Sequence, residues 1–327
     1  MSAEPTAARP RVVRLTDGTP TGGAKRRREE QSDARRAPSR RERSVGDALL
    51  PYLKLVRAPA VFSALGDPLA GLLLDDERLD VGRASRLSAA SALIYLAGMA
   101  LNDLADREED ARERPDRPIP SGAVSPRAAA LVGGSLLLAG TYAAWRGGAR
   151  WTGPALAAAV VAYDFQLKHS DTLGPIAMGA CRSLSMLMGV EASEGGTSRR
   201  GIEGALLLGA YVAGLTLVAR GETGAARTKE LRTGAGLAAA ALLATAIRGG
   251  PSSLPWAAAT GALAGPALSR ALREPGPKTV GPAVGALIRA IPALDGAIAG
   301  TRSPKPAMVL VSLLALTRWG RSLIPIT

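Results

Sequence analysis

The stretch Leu87-Ser88-Ala89-Ala90-Ser91-Ala92-Leu93-Ile94-Tyr95-Leu96-Ala97-Gly98-Met99-Ala100-Leu101 carries no charge and closes on Asn102-Asp103-Leu104-Ala105-Asp106-Arg107-Glu108-Glu109-Asp110. The apolar part approaches the ~20 residues that a helix needs to cross a bilayer core of about 30 Å. Carried one or two turns past its apolar core, the same helix sets Asn102, Asp106 and Asp110 on one face, every four residues, with Asp103 bordering it. Like charges at this spacing repel and weaken a helix, and a cation held among them removes that cost. Hard oxygen ligands in this number suit Mg²⁺, which keeps several waters and is commonly shared with substrate phosphates. A plainer reading is a solvated helix end neutralised by Arg107, Arg112 and Arg114.

Apolar blocks of the same kind lie at 58–75, 87–103, 127–147, 151–167, 173–190, 203–220, 233–249, 253–272 and 280–300, and a more amphipathic one at 307–325 carries Arg318 and Arg321. They do not alternate as strands do, and they are rich in Ala and Gly, which let helix backbones approach closely in lipid. The expected fold class is therefore all-α, a polytopic membrane helix bundle. Pro59, Pro154, Pro175, Pro255 and Pro282 fall near helix starts. A single cysteine, Cys181, excludes a disulfide framework and a Cys-based metal site. The first 45 residues are basic and poor in large apolar side chains, so a disordered tail, 1–45, precedes a membrane domain, 46–327. The tail lacks the apolar core of a signal peptide. Anionic membrane lipid is its expected contact and nucleic acid is not, although a solvated tail that only sets topology explains the same residues. Lys and Arg balance, tail included, puts the tail and the loops 104–126, 168–172, 221–232 and 273–279 on the cytoplasmic side of the cell membrane.

Asn102-Asp103-x-x-Asp106-x-x-x-Asp110 followed by Arg114-Pro-Asp-Arg117-Pro-Ile-Pro-Ser121-Gly122 resembles the first aspartate-rich motif of the UbiA superfamily of intramembrane prenyltransferases. The likeness takes in roughly residues 50–300, including Leu55-x-Arg57-x-Pro59 and Gly71. It implies about nine helices around a central cavity with a metal-bound diphosphate at the cytoplasmic rim. Tyr163-Asp164-Phe165-Gln166-Leu167-Lys168 resembles the family's Y-x-x-x-K element with the spacing shifted by one. Asp164 and Lys168 share a face at i,i+4, so Lys168 is read either as a diphosphate contact or as the partner of Asp164. Arg182, inside the block at 173–190, is costly there unless it meets a cavity or an acid. A second phosphate contact and a bridge to an acid such as Asp164 are both open. Tyr163-Asp164-x-x-x-Lys168 and Gly174-Pro175-x-x-Met178-x-x-Cys181-Arg182 resemble a UbiA-like subgroup that includes EboC-type proteins. One departure stands out. The superfamily's second aspartate motif should fall near 216–222, where Glu222 is the only acid, so Arg220 is read either as an electrostatic stand-in or as a simple anchor.

The resemblance implies Mg²⁺-dependent transfer of a prenyl group from an isoprenyl diphosphate to an acceptor. Asn102, Asp106 and Asp110 hold the metal in this reading. Asp103, Lys168 and Arg182 are catalytic, and Arg117, Arg57, Tyr163, Asp164 and Arg220 bind substrate. Cations and metal act where charge develops on the leaving group. With two Phe, five Tyr and four Trp, no acceptor site is legible; aromatic, quinoid, tetrapyrrole, glycerol phosphate and sugar acceptors all stay open. The rivals are a UbiA-type terpene cyclase and a membrane protein that binds or carries lipid diphosphates without turnover. The scarcity of intramembrane charge outside these motifs argues against an ion transporter.

Overall fold

A computed structural model describes residues 45–57, 61, 64–76, 79–221 and 228–300. The tail 1–44, Pro59, Glu222 and the block 307–325 lie outside the described residues. The chain divides into two units, Met1–Ala48 and Leu49–Thr327. The described part of the first is the opening of one helix, and the second holds the bundle.

Eleven α-helices and no strand occur among the described residues. They are α1 (Val45–Leu55), α2 (Gly66–Asp75), α3 (Val81–Ala105), α4 (Arg107–Glu113), α5 (Pro126–Gly147), α6 (Thr152–Ala162), α7 (Leu173–Ala192), α8 (Arg199–Arg220), α9 (Thr228–Gly249), α10 (Leu254–Arg273) and α11 (Pro277–Ala299). A π-helical turn, Tyr163–Leu167, extends α6, and a short 3₁₀ turn follows α9. Each of the nine apolar blocks carries a helix. Among the described residues, six helices are long and apolar enough to cross a membrane, and α2, α6 and α10 are not among them. The fold is that of a multi-pass membrane bundle, but the nine-span count is not reproduced.

Local sequence explains most helix boundaries. Asp80, Ser125 and Ser198 accept hydrogen bonds from the third backbone N–H of α3, α5 and α8. Gly148 ends α5 in a left-handed conformation. Glu191 of α7 reaches across to cap α6, accepting from the backbone N–H of Trp151 (3.0 Å) and Thr152 (2.9 Å) and from the Thr152 hydroxyl (2.6 Å). Pro154, Pro175 and Pro255 sit in first turns as expected. Pro282 does not, because α11 begins one turn earlier at Pro277 and takes both Pro282 and Pro292 into its interior.

Large apolar side chains such as Leu131, Leu138, Leu206, Leu243 and Ile247 point outward, as suits a lipid-facing surface, while small residues line the inner crossings. A methyl added to Gly71 of α2 would run into the Met186 carbonyl of α7, and one on Gly189 of α7 into the Pro68 carbonyl of α2. These two backbones are in contact, which only glycine permits. The crossing matters because α2 and α7 each bring a charged residue into the interior.

The bundle has two polar ends. One gathers the end of α1, the α3–α5 segment, the turn after α6, the end of α8 and the start of α11, where Gly221 lies against Leu231 and Val280. These belong to the four loops expected on one side. The other end carries Asp76, Arg83, Glu191 and Ala192.

Candidate active site at the acidic rim

The α3 helix ends at Ala105, yet its ladder of backbone bonds continues. Asp106 N–H donates to Asn102, Asp110 N–H to Asp106 and Arg114 N–H to Asp110. The acidic motif is therefore a helical extension with a slight break at Asp106. Its acids divide between two faces, and each meets a cation or an amide.

On one face lie Asp103 and Asp110, only 3% and 1% exposed. Arg57 donates to Asp103 at 3.0 Å. Arg117 bridges both, at 3.4 Å from Asp103 and 2.5 Å from Asp110. Arg114 adds a longer contact to Asp110 at 3.5 Å. The Arg114–Gly122 turn thus folds back on the helix it follows. Arg57 is the one non-glycine among the described residues with positive φ (47°). Such a backbone costs of order 1–3 kcal/mol and persists where surrounding contacts over-determine it; the bond to Asp103 is one of those contacts.

On the other face, Asn102 and Asp106 meet the π-helical turn. The Asn102 amide donates to Asp164 at 3.4 Å, and Lys168 Nζ stands 2.5 Å from Asp106. Lys168 N–H donates to the Tyr163 carbonyl five residues back. That wider turn takes up one extra residue, which accounts for the one-residue shift in the motif. Lys168 consequently pairs with Asp106 on a different helix and not with Asp164 four residues before it. Asp164 is buried, and no protein group donates to its Oδ2.

Arg220 leaves α8 and clasps the turn after Lys168. It donates to the carbonyls of Lys168 (2.9 Å) and Ser170 (2.7 Å) and pairs with Asp171 (2.7 Å). Gly174 makes room for it, since a methyl there would meet the Arg220 guanidinium. Arg220 thus fixes the backbone that carries Lys168. Arg182 is not at the rim. It pairs with Asp67 of α2 at 2.7 Å, so its acid is Asp67, not Asp164. Cys181 is buried and packs with Leu69, Leu87 and Met188.

Among the described residues, no group of three or more His, Cys, Asp or Glu is arranged to hold a metal, and Asp110 is engaged by Arg117 and Arg114 while Asp106 is paired with Lys168. Asn102 and Asp164 meet through the Asn102 amide N–H, and Asp106 is held by Lys168 of the same turn. A cavity of about 290 Å³ opens elsewhere, between Leu74, Gly204, Thr245 and Ile298, with Arg200, Glu203 and Arg248 also lining it; no rim residue does.

Sequence reasoning missed Asp67 and Asp295, both wholly buried. Each is the lone acid of an apolar block before its last turn, a signal that sequence alone contains. They add two buried acids to the scarce intramembrane charge outside the motifs.

The family model described as "UbiA prenyltransferase family" matches residues 68–278, well over half the chain. The chain belongs to this family. A solved structure described as digeranylgeranylglyceryl phosphate synthase in membranes shares the UbiA-type fold, with a TM-score of 0.61 and 19% identity, covering 79% of this chain and 100% of that one. The apo UbiA homologue of Aeropyrum pernix K1 gives 0.58 and 18%, over 72% and 96%. A UbiA homologue from Archaeoglobus fulgidus, solved with GPP and Mg²⁺, gives 0.53 and 12%, over 84% and 100%. Among curated relatives, the digeranylgeranylglyceryl phosphate synthase of Methanopyrus kandleri is 47% identical over 81 residues, 24% of this chain and 29% of that protein. The enzyme of the same name from Metallosphaera sedula is 32% identical over 142 residues, 42% and 50%. The matched stretch spans about a third of the first of these relatives and half of the second.

Proposed function

We propose that this UbiA-family chain transfers a prenyl group from an isoprenyl diphosphate to an acceptor inside the membrane, with Mg²⁺, at a rim facing the cytoplasm. The observation that carries the reading is the gathering of Arg57, Arg117 and Lys168, each held by an acid of the same helix end, at one mouth of a membrane bundle. Preorganised cations stabilise a leaving diphosphate without reorganising as charge develops. The acids orient them: Asp103 holds Arg57, Asp110 holds Arg117 and Asp106 holds Lys168. Arg220 fixes the turn that presents Lys168.

The oxygen donors fit a hard divalent ion at one place. Asp164 keeps a buried oxygen to which nothing donates, beside Asn102, and Asp106 lies on the same side. Asn102, Asp106 and Asp164 would hold Mg²⁺, and Asp110, engaged by two arginines, serves as their anchor instead. Bound there, the ion adds positive charge against the diphosphate oxygens. The Archaeoglobus homologue with GPP and Mg²⁺ supports this reading by its fold alone. The name of the curated relatives favours a glyceryl phosphate lipid among the acceptors left open by the sequence. The membrane lipids around the protein are then also the source of its acceptor.

The test is release of diphosphate from a labelled isoprenyl diphosphate by membranes containing the chain. Wild type releases it with Mg²⁺ and not with EDTA. Asp106→Asn and Lys168→Met each lower release by about 10²-fold or more, the range seen for loss of one charge-stabilising group. Equal release by wild type and both variants refutes the assignment. Mg²⁺-dependent binding with no release by wild type establishes the carrier reading in its place.

A further inference from the structure

Away from the rim, α2, α7 and α11 bring together two carboxylates and one guanidinium. Asp67 accepts from Arg182 at 2.7 Å. Asp295 of α11 packs its carboxyl against that of Asp67 and within reach of the same arginine. Asp67 and Asp295 are both fully shielded from solvent. No protein group donates to either oxygen of Asp295 or to Oδ2 of Asp67. Three acceptor atoms of two neighbouring carboxyls are therefore buried without a donor, and among the described residues both carboxyls neighbour the same cation, Arg182.

Tyr95 of α3 also faces Arg182. Ser185 lies against Asp67 and exchanges a hydrogen bond of 2.9 Å with Ser91, which donates to the Ala64 carbonyl at 2.7 Å. The charged groups acting on Asp295 are Asp67 from α2 and Arg182 from α7. From α10 the neighbour is Trp256, whose ring covers Gly296, and from α8 the neighbours are apolar, Gly204 against Ile298. From α9, Thr245 lies at the cavity next to Ile298, with its hydroxyl turned back to the Ala241 carbonyl. Arg248 and Glu203 at that cavity are paired with each other.

Buried charge in a membrane bundle is tolerated when it is paired or when it binds something. Here pairing accounts for one carboxylate only. We propose that the Asp67–Arg182–Asp295 cluster is a binding site for one positive charge, either a proton or a small alkali-metal ion. A proton shared between the two carboxyls turns one of them into the missing donor. An alkali ion takes the three free oxygens as ligands, with serine hydroxyls or backbone carbonyls completing its shell. A cavity lined by Ile298, one turn beyond Asp295 on α11, opens on this side of the helix. The site is separate from the rim and owes nothing to the diphosphate reading.

The experiment uses the full chain in detergent or nanodiscs, with Asp295→Asn and Asp67→Asn as isosteric variants. In one arm, infrared spectra at neutral pH are searched for the carbonyl absorption of a protonated carboxylic acid. In the other, thermal unfolding is followed in sodium, potassium and choline chloride at equal ionic strength. A bound proton gives a carboxylic-acid band in wild type that Asp295→Asn or Asp67→Asn removes, with no preference among salts. A bound alkali ion gives no such band and raises Tm in one salt over choline by about 5–10 °C at hundredfold excess over its dissociation constant, an increment the variants lose. If Asp295→Asn does not fold, Asp67→Asn and the wild-type salt series still decide. No difference in band between wild type and variants, together with identical Tm in all three salts, overturns the proposal.

Discussion

Replacing Arg117 tests the electrostatic scheme of the rim most directly. Its guanidinium bridges Asp103 and Asp110, and both carboxylates are almost fully shielded. Removing one partner of a buried pair costs roughly 3–5 kcal/mol, because the remaining charge is left uncompensated. Two features reduce that figure here: Asp103 keeps Arg57 at 3.0 Å, and Asp110 keeps Arg114 at 3.5 Å. Arg114 is half exposed, so its compensation is partial. Arg117→Met should therefore cost about 2–3 kcal/mol, or roughly 4–6 °C in Tm at ~2 °C per kcal/mol for a chain of this size. The double variant Arg117→Met, Asp110→Asn removes the stranded charge along with its partner. It should recover about half of the loss, which is the coupling that a double-mutant cycle isolates. Arg117→Lys should fall between, because it keeps the charge on a shorter side chain whose ammonium reaches less far than the guanidinium Nη1 that meets both carboxylates. The assay is thermal unfolding of the purified chain at fixed detergent and salt, followed by tryptophan fluorescence. A Tm unchanged within 1 °C in Arg117→Met, or a double variant as unstable as the sum of its singles, refutes the view that Arg117 neutralises a buried acid pair.

Two further outcomes follow from local geometry. Deleting Phe165 removes the extra residue that the π turn takes up, leaves Tyr163 and Lys168 four apart in an α-helical turn and keeps Lys168 facing Asp106. Diphosphate release should then stay near wild type, and a drop as large as that of Lys168→Met would show that the π turn does more than take up an extra residue. Asp80 accepts from the Arg83 backbone N–H at 3.1 Å, which together with Arg83 and Arg86 holds its carboxyl below the ordinary range. A lowered value stabilises the fold above the unfolded-state pKa and loses that contribution as pH falls through the folded value. The Tm of Asp80→Asn should consequently fall less on acidification than that of wild type, and parallel pH profiles would contradict this.

The membrane class, the helical content, the end of α3 and the rim it builds were all legible in the sequence. Hydropathy and charge are read residue by residue, and the acids follow the end of the helix as soon as it forms, although they divide between two of its faces. Helix lengths were less so: α2 begins only at Gly66, well inside the block at 58–75, and α6 passes into a π turn at Tyr163. Which cation each acid takes was decided only by the tertiary structure. Arg57 reaches Asp103 across 46 residues, Asn102 reaches Asp164 across 62, and Arg182 reaches Asp67 across 115. An ion pair depends on a separation of about 3 Å, and nothing in a linear sequence fixes that distance between helices. The π turn that moves Lys168 from Asp164 to Asp106 is of the same kind, since one residue of extra winding alters the partner while leaving the composition as it was. Asp67 and Asp295 each read as a stray acid in an apolar run; their meeting at Arg182 exists because glycine lets α2 and α7 touch and α11 closes over them.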